Sequence, residues 1–249
     1  MNGPMWLVLC EPGDRAGQWA YAGLRERGLE PLELVSPQAL VHARRSAHRV
    51  GVDGASFEIG LADGRTLVSG DVEGALNRLS SAPVERLAFA TQADTCYAMA
   101  EMSALLLSWL TCIAPVTVNR PSSLGLSGTW RSAAEWNALA ARAGLPVSSL
   151  SLSSRPVPAP PADPATHTVV VCGEQVFGDV ETGDLARACT RLARLADTDL
   201  LGIDLRRGGR HRAHFAGASL LPDLRIGGSA LIACLHERLT GVPTETEPR

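Results

Sequence analysis

The sequence predicts an α/β fold that is built on a mostly parallel sheet. Short apolar runs typical of buried strands, such as Met5–Cys10 and Pro115–Asn119, alternate with segments of helical periodicity. Strands that alternate with helices form parallel sheets with helices on both faces. The 249 residues are 45% hydrophobic and 20% charged, as in an ordinary globular chain with a substantial core. Ligands of such sheets lie outside the carboxyl ends of the strands.

The first half of the chain supplies most of the predicted sheet. The breaker pair Pro12-Gly13 follows strand Met5–Cys10, and Gly28 ends a predicted helix over Asp14–Arg27. The later elements are, in order, strands at Glu30–Ser36, His48–Val52, Ser56–Leu61, Thr66–Val68 and Asp71–Ser81, a helical stretch at Val84–Ile113, and strand Pro115–Asn119.

The second half begins with a Ser- and Gly-rich loop and a helix whose start carries a capping box, formed by Ser132 and Glu135. Gly144 marks the end of this helix. The following segment, Ser148–His167, is dominated by Ser and Pro and predicts an extended linker. The last elements are two strands within Thr166–Val180, a helix at Gly183–Asp197, a strand at Leu200–Arg206, a strand that runs into a loop within Ala213–Arg225, and a helix at Gly228–Leu239.

The charge, the cysteines and the apolar runs indicate which partners and which cellular compartment the chain is expected to have. The formal net charge is −3, which is not the basic balance of a nucleic-acid-binding protein, and all 23 residues counted as Lys or Arg are arginine. Six scattered cysteines without a CxxC pair predict free thiols in a reducing cytoplasm. The apolar run Cys96–Ala114 contains Glu101 and no flanking cationic anchors, so it predicts a buried helix and no membrane association.

The loop Ser122–Arg131 is a candidate anion site because its hydroxyl groups precede a helix. Its candidate binding residues are Ser122, Ser123 and Arg131. Trp130, next to that arginine, is the tryptophan expected at a contact surface. The alternative is a structural loop whose helix is capped by its own serine.

Two arginines follow asparagines at predicted strand ends. Arg78 and Arg120 are expected to point into one cleft, where guanidinium groups bind carboxylate or phosphate through paired hydrogen bonds. The alternative is that both arginines pair with acids of the chain itself, such as Asp204 or Glu101.

An Asp-x-Arg spacing occurs twice near the C-terminus, in Asp204 with Arg206 and in Asp223 with Arg225. Residues two apart on a strand share a face, so each aspartate can hold its own arginine in an internal ion pair. The alternative is a clamp for a ligand, and for that reason Asp204, Arg206 and Arg225 are candidate binding residues.

The sequence predicts no metal site, no cofactor and no catalytic residues. His211 and His214 lie close together, but no cysteine or acid stands nearby at a ligand spacing. The chain also contains no Ser-His-Asp order, nucleophile elbow or GxGxxG fingerprint.

Three segments carry a resemblance to a known family. They are LNRLSS (Leu76–Ser81), the stretch from VNRPSS to ARAGLPV (Val118–Val147), and LLGIDLR with HFAGASLLPDLRIGG (Leu200–Gly228). In this order and spacing they resemble the ATP-grasp ligases, in particular the branch that modifies ribosomal peptides and ribosomal protein tails. In the last segment those ligases have G-I-D-L-R followed by F-x-E-x-N-P-x-P-D-L.

The resemblance implies a division of the chain into four parts. A pre-ATP-grasp-like, mostly parallel α/β domain is expected at 1–118 and a loop–helix connection at 119–147. A Ser/Pro-rich linker is expected at 148–167, and a reduced ATP-grasp-like α+β lobe at 168–249.

The departures from the family pattern concern ATP and its metal ion. The metal-binding Glu of the ligases falls on Gly217 and their Asn on Ser219, so that Asp204 alone remains of the acidic set. Their phosphate-binding lysine falls near Ser132 or Ala133, and the linker stands where an adenine clamp would be. Phosphoryl transfer depends on such cations and metal ligands, and the departures therefore predict that the chain is not an ATP-dependent ligase.

These inferences lead to one function hypothesis and two alternatives. The hypothesis is a non-catalytic scaffold that holds a peptide or a partner enzyme in a biosynthetic pathway, such as that of a ribosomally made peptide, with Arg78, Arg120 and Arg131 at the contact surface. The first alternative is an enzyme with altered chemistry that binds a carboxylate or phosphate through arginines. The second is a self-associating structural protein, a homodimer in which a second copy covers apolar surface.

Overall fold

The computed structural model describes residues 3–52, 54–82, 91–148, 166–180, 182–207 and 213–241. Most of the predicted Ser/Pro-rich linker, the start of the helical stretch predicted from Val84, and His211 lie outside these residues. The chain divides into two compact units, the first formed by Met1–Thr129 with Ile232–Arg249 and the second by Trp130–Leu231. A parallel sheet and two antiparallel sheets, with helices between the strands, confirm the predicted α/β class.

The first unit contains a four-stranded parallel sheet and a three-stranded antiparallel sheet. Its elements before the second unit are β1 (Met5–Cys10), α1 (Arg15–Glu26), β2 (Leu32–Val35), α2 (Pro37–Val41), β3 (Arg45–Gly51), β4 (Gly54–Gly60), β5 (Thr66–Val68), β6 (Val72–Arg78), α3 (Gln92–Cys112) and β7 (Thr117–Val118). The parallel sheet has the order β2-β1-β6-β7. Because all its pairs are parallel, the carboxyl ends of β1, β6 and β7 meet at one edge.

Helix α1 begins and ends where its sequence signals predict. Asp14 is the N-cap, and its carboxylate accepts a hydrogen bond of 3.0 Å from the backbone N–H of Gly17. Gly28 follows the helix with φ at 81°, a left-handed conformation that glycine adopts without steric cost. The helix therefore connects β1 to β2 in the compact way that a parallel sheet requires.

The antiparallel sheet, in the order β3-β4-β5, packs into the same core as the parallel sheet. Phe57 and Ile59 of β4, Leu67 of β5, Leu7 of β1 and Trp109 of α3 belong to one cluster of buried apolar side chains. Strand β3 differs from its neighbours, because none of its residues is buried.

Helix α3 corrects the expectation of a buried helix. Only Leu106, Trp109 and Leu110 are buried, whereas Tyr97 is 69% exposed and Met99 is 42% exposed. The apolar run thus packs against the core through its second half alone. Among the helices of the described residues, none has the length and apolar character needed to span a membrane.

The second unit contains a four-stranded antiparallel sheet in the order β11-β10-β8-β9. Its elements are α4 (Ala133–Ala143), β8 (Thr166–Cys172), β9 (Gln175–Phe177), α5 (Gly183–Leu195), β10 (Leu200–Arg207) and β11 (Ala213–Ser219), and α6 (Gly228–Thr240) begins in this unit. The core joins one face of the sheet to α4 and α5, and includes Val169, Ile203, Phe215, Trp136 and Leu192.

The predicted capping box of α4 is confirmed. Ser132 Oγ accepts a hydrogen bond of 3.3 Å from the backbone N–H of Glu135, and Glu135 Oε2 accepts one of 2.7 Å from the backbone N–H of Ser132. Gly144 ends the helix with φ at 88°. Both ends of α4 are therefore determined by local sequence.

Three local predictions need correction. Strand Pro115–Asn119 is reduced to the two residues of β7, because a short 3-10 turn occupies Ala114–Val116. Strands β3 and β4 begin earlier than the predicted His48–Val52 and Ser56–Leu61. Helix α2 was not predicted, although Ser36 as N-cap, directly before a proline, is a sequence signal for a helix start.

Candidate functional site

Arg78 lies at the carboxyl edge of the parallel sheet, where it binds Asp14. Its Nε is 2.6 Å from Asp14 Oδ2 and its Nη2 is 3.1 Å from Asp14 Oδ1, so the pair is bidentate. The side chain of Arg78 is 3% exposed and that of Asp14 is 17% exposed. Arg78 thus pairs with an acid of the chain itself, but with Asp14 and not with Asp204 or Glu101, because a partner 64 positions away cannot be recognised from spacing.

The pKa of the Asp14 carboxyl is lowered from its ordinary value of 3.8. Partial burial alone would raise this pKa, but hydrogen bonds from the Arg78 guanidinium and the Gly17 N–H outweigh it. A carboxylate with a depressed folded-state pKa stabilises the fold above its unfolded pKa and loses this contribution as pH falls through the folded value. The pair therefore contributes fully at neutral pH and progressively less below about pH 4.

We expect Asp14→Asn to lower the stability of the protein at pH 7, and we expect this difference from the wild type to shrink as the pH falls to 3. As the pH falls, the unfolded wild type takes up a proton at Asp14 more readily than the folded protein does, so the stabilisation that the charge provides is progressively lost. Urea unfolding of both proteins at several pH values measures the difference. An equal difference at pH 7 and pH 3 would show that the charge of Asp14 is not its source.

The loop after β7 is held in place by buried polar side chains. Asn77 Nδ2 donates to the carbonyl oxygens of Asn119 and Leu126, at 3.0 and 2.7 Å. Ser127 Oγ donates to the carbonyl of Leu79 at 2.7 Å. These bonds favour the structural interpretation of the loop, since buried polar groups that find partners specify one local conformation.

The predicted binding residues of this loop lie at the surface or take part in its turn. Ser122 Oγ accepts from the backbone N–H of Leu124, whereas Ser123 and Arg120 are exposed. Trp130 is 68% exposed, in agreement with the expectation that it lies outside the core. As binding residues, Arg120, Ser122, Ser123 and Trp130 stay predictions.

The second unit contains a cavity of about 620 Å³ beside the first turns of α4 and the edge strand β11. Two of the predicted binding residues, Arg131 and Arg206, line it together with Trp136, Asn137 and His214. A cavity of this size is typical of sites for small ligands or parts of larger ones. We call it the β11 cavity.

Arg131 is positioned in the β11 cavity by two contacts. Its guanidinium carbon lies 5.3 Å from the ring centroid of Trp136, within the range of a cation–π interaction. Its Nη2 donates a hydrogen bond of 2.9 Å to the carbonyl of Ala196, the residue that caps the C-terminal end of α5. That end carries partial negative charge, which favours an arginine there.

The register between β10 and β11 places two further lining residues of the cavity next to each other. Arg206 of β10 is directly opposite His214 of β11, and the register shifts between Asp204 and Leu205. Nδ1 of His214 is buried and has no hydrogen-bond partner within the described residues. A buried ring nitrogen without a hydrogen-bond partner costs free energy.

The two Asp-x-Arg motifs behave differently. Asp223 binds Arg225 through two hydrogen bonds of 2.8 and 2.6 Å, which is the internal ion pair that the spacing predicts. Asp204 instead accepts a hydrogen bond of 2.6 Å from Thr168 Oγ1 on the neighbouring strand β8.

Asp204 of β10 is also paired directly with Gly217 on the neighbouring strand β11. A Cβ atom at Gly217 would lie 3.4 Å from Asp204 Oδ2, so a side chain at this position would touch the carboxylate. No group of three or more histidine, cysteine or acidic residues that could hold a metal ion occurs among the described residues.

The chemistry of the β11 cavity follows from its lining. Its charged residues are Arg131 and Arg206, with His214 and Asn137 as further polar groups. Guanidinium groups form strong, charge-assisted hydrogen bonds with carboxylates and phosphates. Sequence reasoning missed Trp136 and Asn137 and considered His214 only as a metal ligand, because only the fold brings these residues together.

The chain has an ATP-grasp-like fold, as the sequence resemblance predicted. The ligase associated with ribosomally made peptides from Chryseobacterium gregarium, solved with ADP and a leader and core peptide, superposes with a TM-score of 0.70 at 9% identity, covering 96% of this chain and 97% of that one. The macrocyclase MdnB from Microcystis aeruginosa gives 0.69 at 10% identity, with 95% and 99% covered.

A third similar structure is the ATP-grasp ligase PsnB with its minimal precursor, with a TM-score of 0.67 at 18% identity, covering 95% of this chain and 99% of that one. At identities this low, the structural similarity establishes a common fold and nothing more. No family model matches the sequence, and no curated protein sequence matches it.

Proposed function

We propose that the chain is a non-catalytic ATP-grasp-like protein that binds a peptide in a peptide-modification pathway. The observation that carries the proposal is the β11 cavity, where Arg131 and Arg206 converge in a fold shared with ligases that were solved with peptides. The class of ligand is a carboxylate side chain of a peptide, because the charged lining residues are arginines.

The non-catalytic part of the proposal rests on Asp204 and its surroundings. ATP-grasp chemistry requires a divalent ion between phosphate groups and acidic ligands, and Mg²⁺ demands near-ideal geometry from such ligands. Here Asp204 accepts a bond from Thr168, and the residue across the sheet is Gly217, which offers no side-chain ligand. The residues at these positions do not fit a magnesium–nucleotide site, and the absence of lysine from the chain adds to the mismatch.

The peptide part of the proposal rests on the similar structures. PsnB was solved with its minimal precursor, and the Chryseobacterium gregarium ligase with a leader and core peptide. A chain with this fold and an arginine-lined cavity has the means to hold an acidic side chain. The cleft formed by Arg78, Arg120 and Arg131 and the homodimer stay predictions.

The first test uses a blocked glutamate, N-acetyl-glutamate N-methylamide, and its glutamine counterpart. We expect the glutamate to shift the NMR signals of the His214 ring and to bind about tenfold more tightly than the glutamine, because only the carboxylate pairs with the arginines. Arg206→Gln should remove this preference. Arg187→Gln, at an exposed arginine of α5 outside the cavity, is the matched control and should leave it unchanged.

Two results would contradict the proposal. Equal affinity of the wild type for both blocked amino acids would show that the cavity is not a carboxylate site. A clear rise in melting temperature with Mg-ATP would contradict the non-catalytic part, because a ligand that binds the native state stabilises it.

A further inference from the structure

Strand β3 exposes a positively charged sheet edge, which we call the β3 edge. It pairs with β4 on one side, and no described strand lies on its other side. Arg44, Arg45 and Arg49 are exposed here, and Glu58 of β4 is the acid beside them. The Arg45–Glu58 pair is loose, at 3.7 Å, and the Arg45 side chain is 65% exposed, so it contributes little stability.

The other face of β3 forms one wall of a groove against α3, which we call the α3 groove. It has a volume of about 480 Å³ and is lined by the β3 residue His48 and by Ala104, Leu107 and Cys112 of α3. His48 is held by a contact of 3.0 Å between Nδ1 and Ser108 Oγ. The groove is therefore mostly apolar and has a defined shape.

The two faces of β3 offer opposite chemistry. Side chains alternate along a strand, so Arg45 and Arg49 share the face opposite to His48 and Val50. His48 faces inward, since its ring packs 5.2 Å from that of Phe57, and Val50 at the same side is 78% exposed. An added strand would meet cations on one face and apolar surface on the other.

We propose that the β3 edge binds an extended acidic segment of a partner polypeptide as an additional strand. The backbone of the segment pairs with β3, as in other cases of recognition by strand addition. Its acidic side chains face Arg45 and Arg49, and the alternate apolar side chains cover Val50 and enter the α3 groove. Among the described residues of this face, Arg45 and Arg49 outnumber Glu58, and the excess positive charge selects an acidic partner.

A second copy of this chain is a poorer occupant of the same edge. Two antiparallel copies of β3 centred near Ala47 would place Arg45 of one copy against Arg49 of the other. Like charges directly opposite each other destabilise a strand pair. An acidic segment removes this repulsion and replaces it with attraction.

This surface is independent of the proposed function, because its residues belong to the first unit and the β11 cavity to the second. The two proposals can therefore fail separately. Arg206→Gln tests the cavity and should leave binding at the β3 edge unchanged.

The test uses a labelled eight-residue peptide in which glutamate and valine alternate, and a second peptide with lysine in place of glutamate. We expect fluorescence anisotropy to show binding of the glutamate peptide and binding at least about tenfold weaker for the lysine peptide. Arg45→Glu with Arg49→Glu should reverse this preference. Methylation of alternate backbone nitrogens should abolish binding if the peptide adds as a strand.

The control is Arg15→Glu with Arg25→Glu, a matched reversal of two exposed arginines on α1 of the same unit. It should bind as the wild type does, and circular dichroism should show that both double variants remain folded. Unchanged peptide preference in the Arg45/Arg49 variant would overturn the proposal. A wild-type dimer that dissociates in this variant would also overturn it, because a second copy would then occupy the edge.

Discussion

Arg78→Ala is expected to lower the free energy of unfolding by about 3–5 kcal/mol, since removing one partner of a buried ion pair leaves the other charge unpaired. The pair with Asp14 is bidentate, and the Arg78 side chain is 3% exposed. Urea unfolding measures the loss. Arg120→Ala, which removes an exposed arginine, is the matched control and should change stability by no more than about 0.5 kcal/mol.

A double variant separates pairing from packing. Arg78→Met with Asp14→Asn removes both charges, while asparagine keeps the N-cap of α1. Replacing both charges of a buried pair is often neutral, so we expect the double variant to be more stable than Arg78→Ala. Nη1 of Arg78 is buried without a partner in the described part of the chain, so the methionine also removes an unsatisfied donor. An Arg78→Ala protein as stable as the wild type would show that the pair contributes nothing.

Trp109→Ala is also expected to cost about 3–5 kcal/mol, because it leaves a cavity in the core of the first unit. The Trp109 side chain is completely buried among residues such as Leu7, Phe57 and Leu110. Its Nε1 has no hydrogen-bond partner within the described residues, so losing this donor offsets part of the cost.

The matched control for Trp109 is Trp130→Ala, which truncates a tryptophan that is 68% exposed. Surface substitutions of this kind change stability by about 0.5 kcal/mol or less. Trp109→Phe keeps most of the buried volume and should cost less than the alanine. Chemical denaturation followed by circular dichroism measures all three variants, and equal losses for the two alanine variants would contradict the assignment of Trp109 to the core.

Local patterns were sufficient for elements whose signals lie within a few residues of one another. The apolar run Met5–Cys10 predicted the central strand, and Ser132 with Glu135 predicted the start of α4. Strand β7 was overestimated, because an apolar run beside a proline does not distinguish a strand from a 3-10 turn.

Less of the candidate site could be predicted from the sequence, because its contacts join residues that are far apart along the chain. Arg131 and Arg206 were named as binding residues, but their meeting at one cavity depends on the packing of α4 against β11. His214 was considered only as a metal ligand, and its place opposite Arg206 follows from strand register. The partner of Arg78 likewise depends on β1 and β6 lying side by side.

The last helix, α6, has a consequence for how the chain is made. Its residues from Ile232 onward belong to the first unit, where Trp6 Nε1 donates to the carbonyl of Leu239 and a Cβ at Gly74 would lie 2.7 Å from that same oxygen. On the ribosome, the second unit is fully translated before the part of this helix from Ile232 onward exists. The first unit therefore stays incomplete until Leu239 has been translated and has left the exit tunnel. We expect chaperones to contact the first unit late in synthesis for this reason.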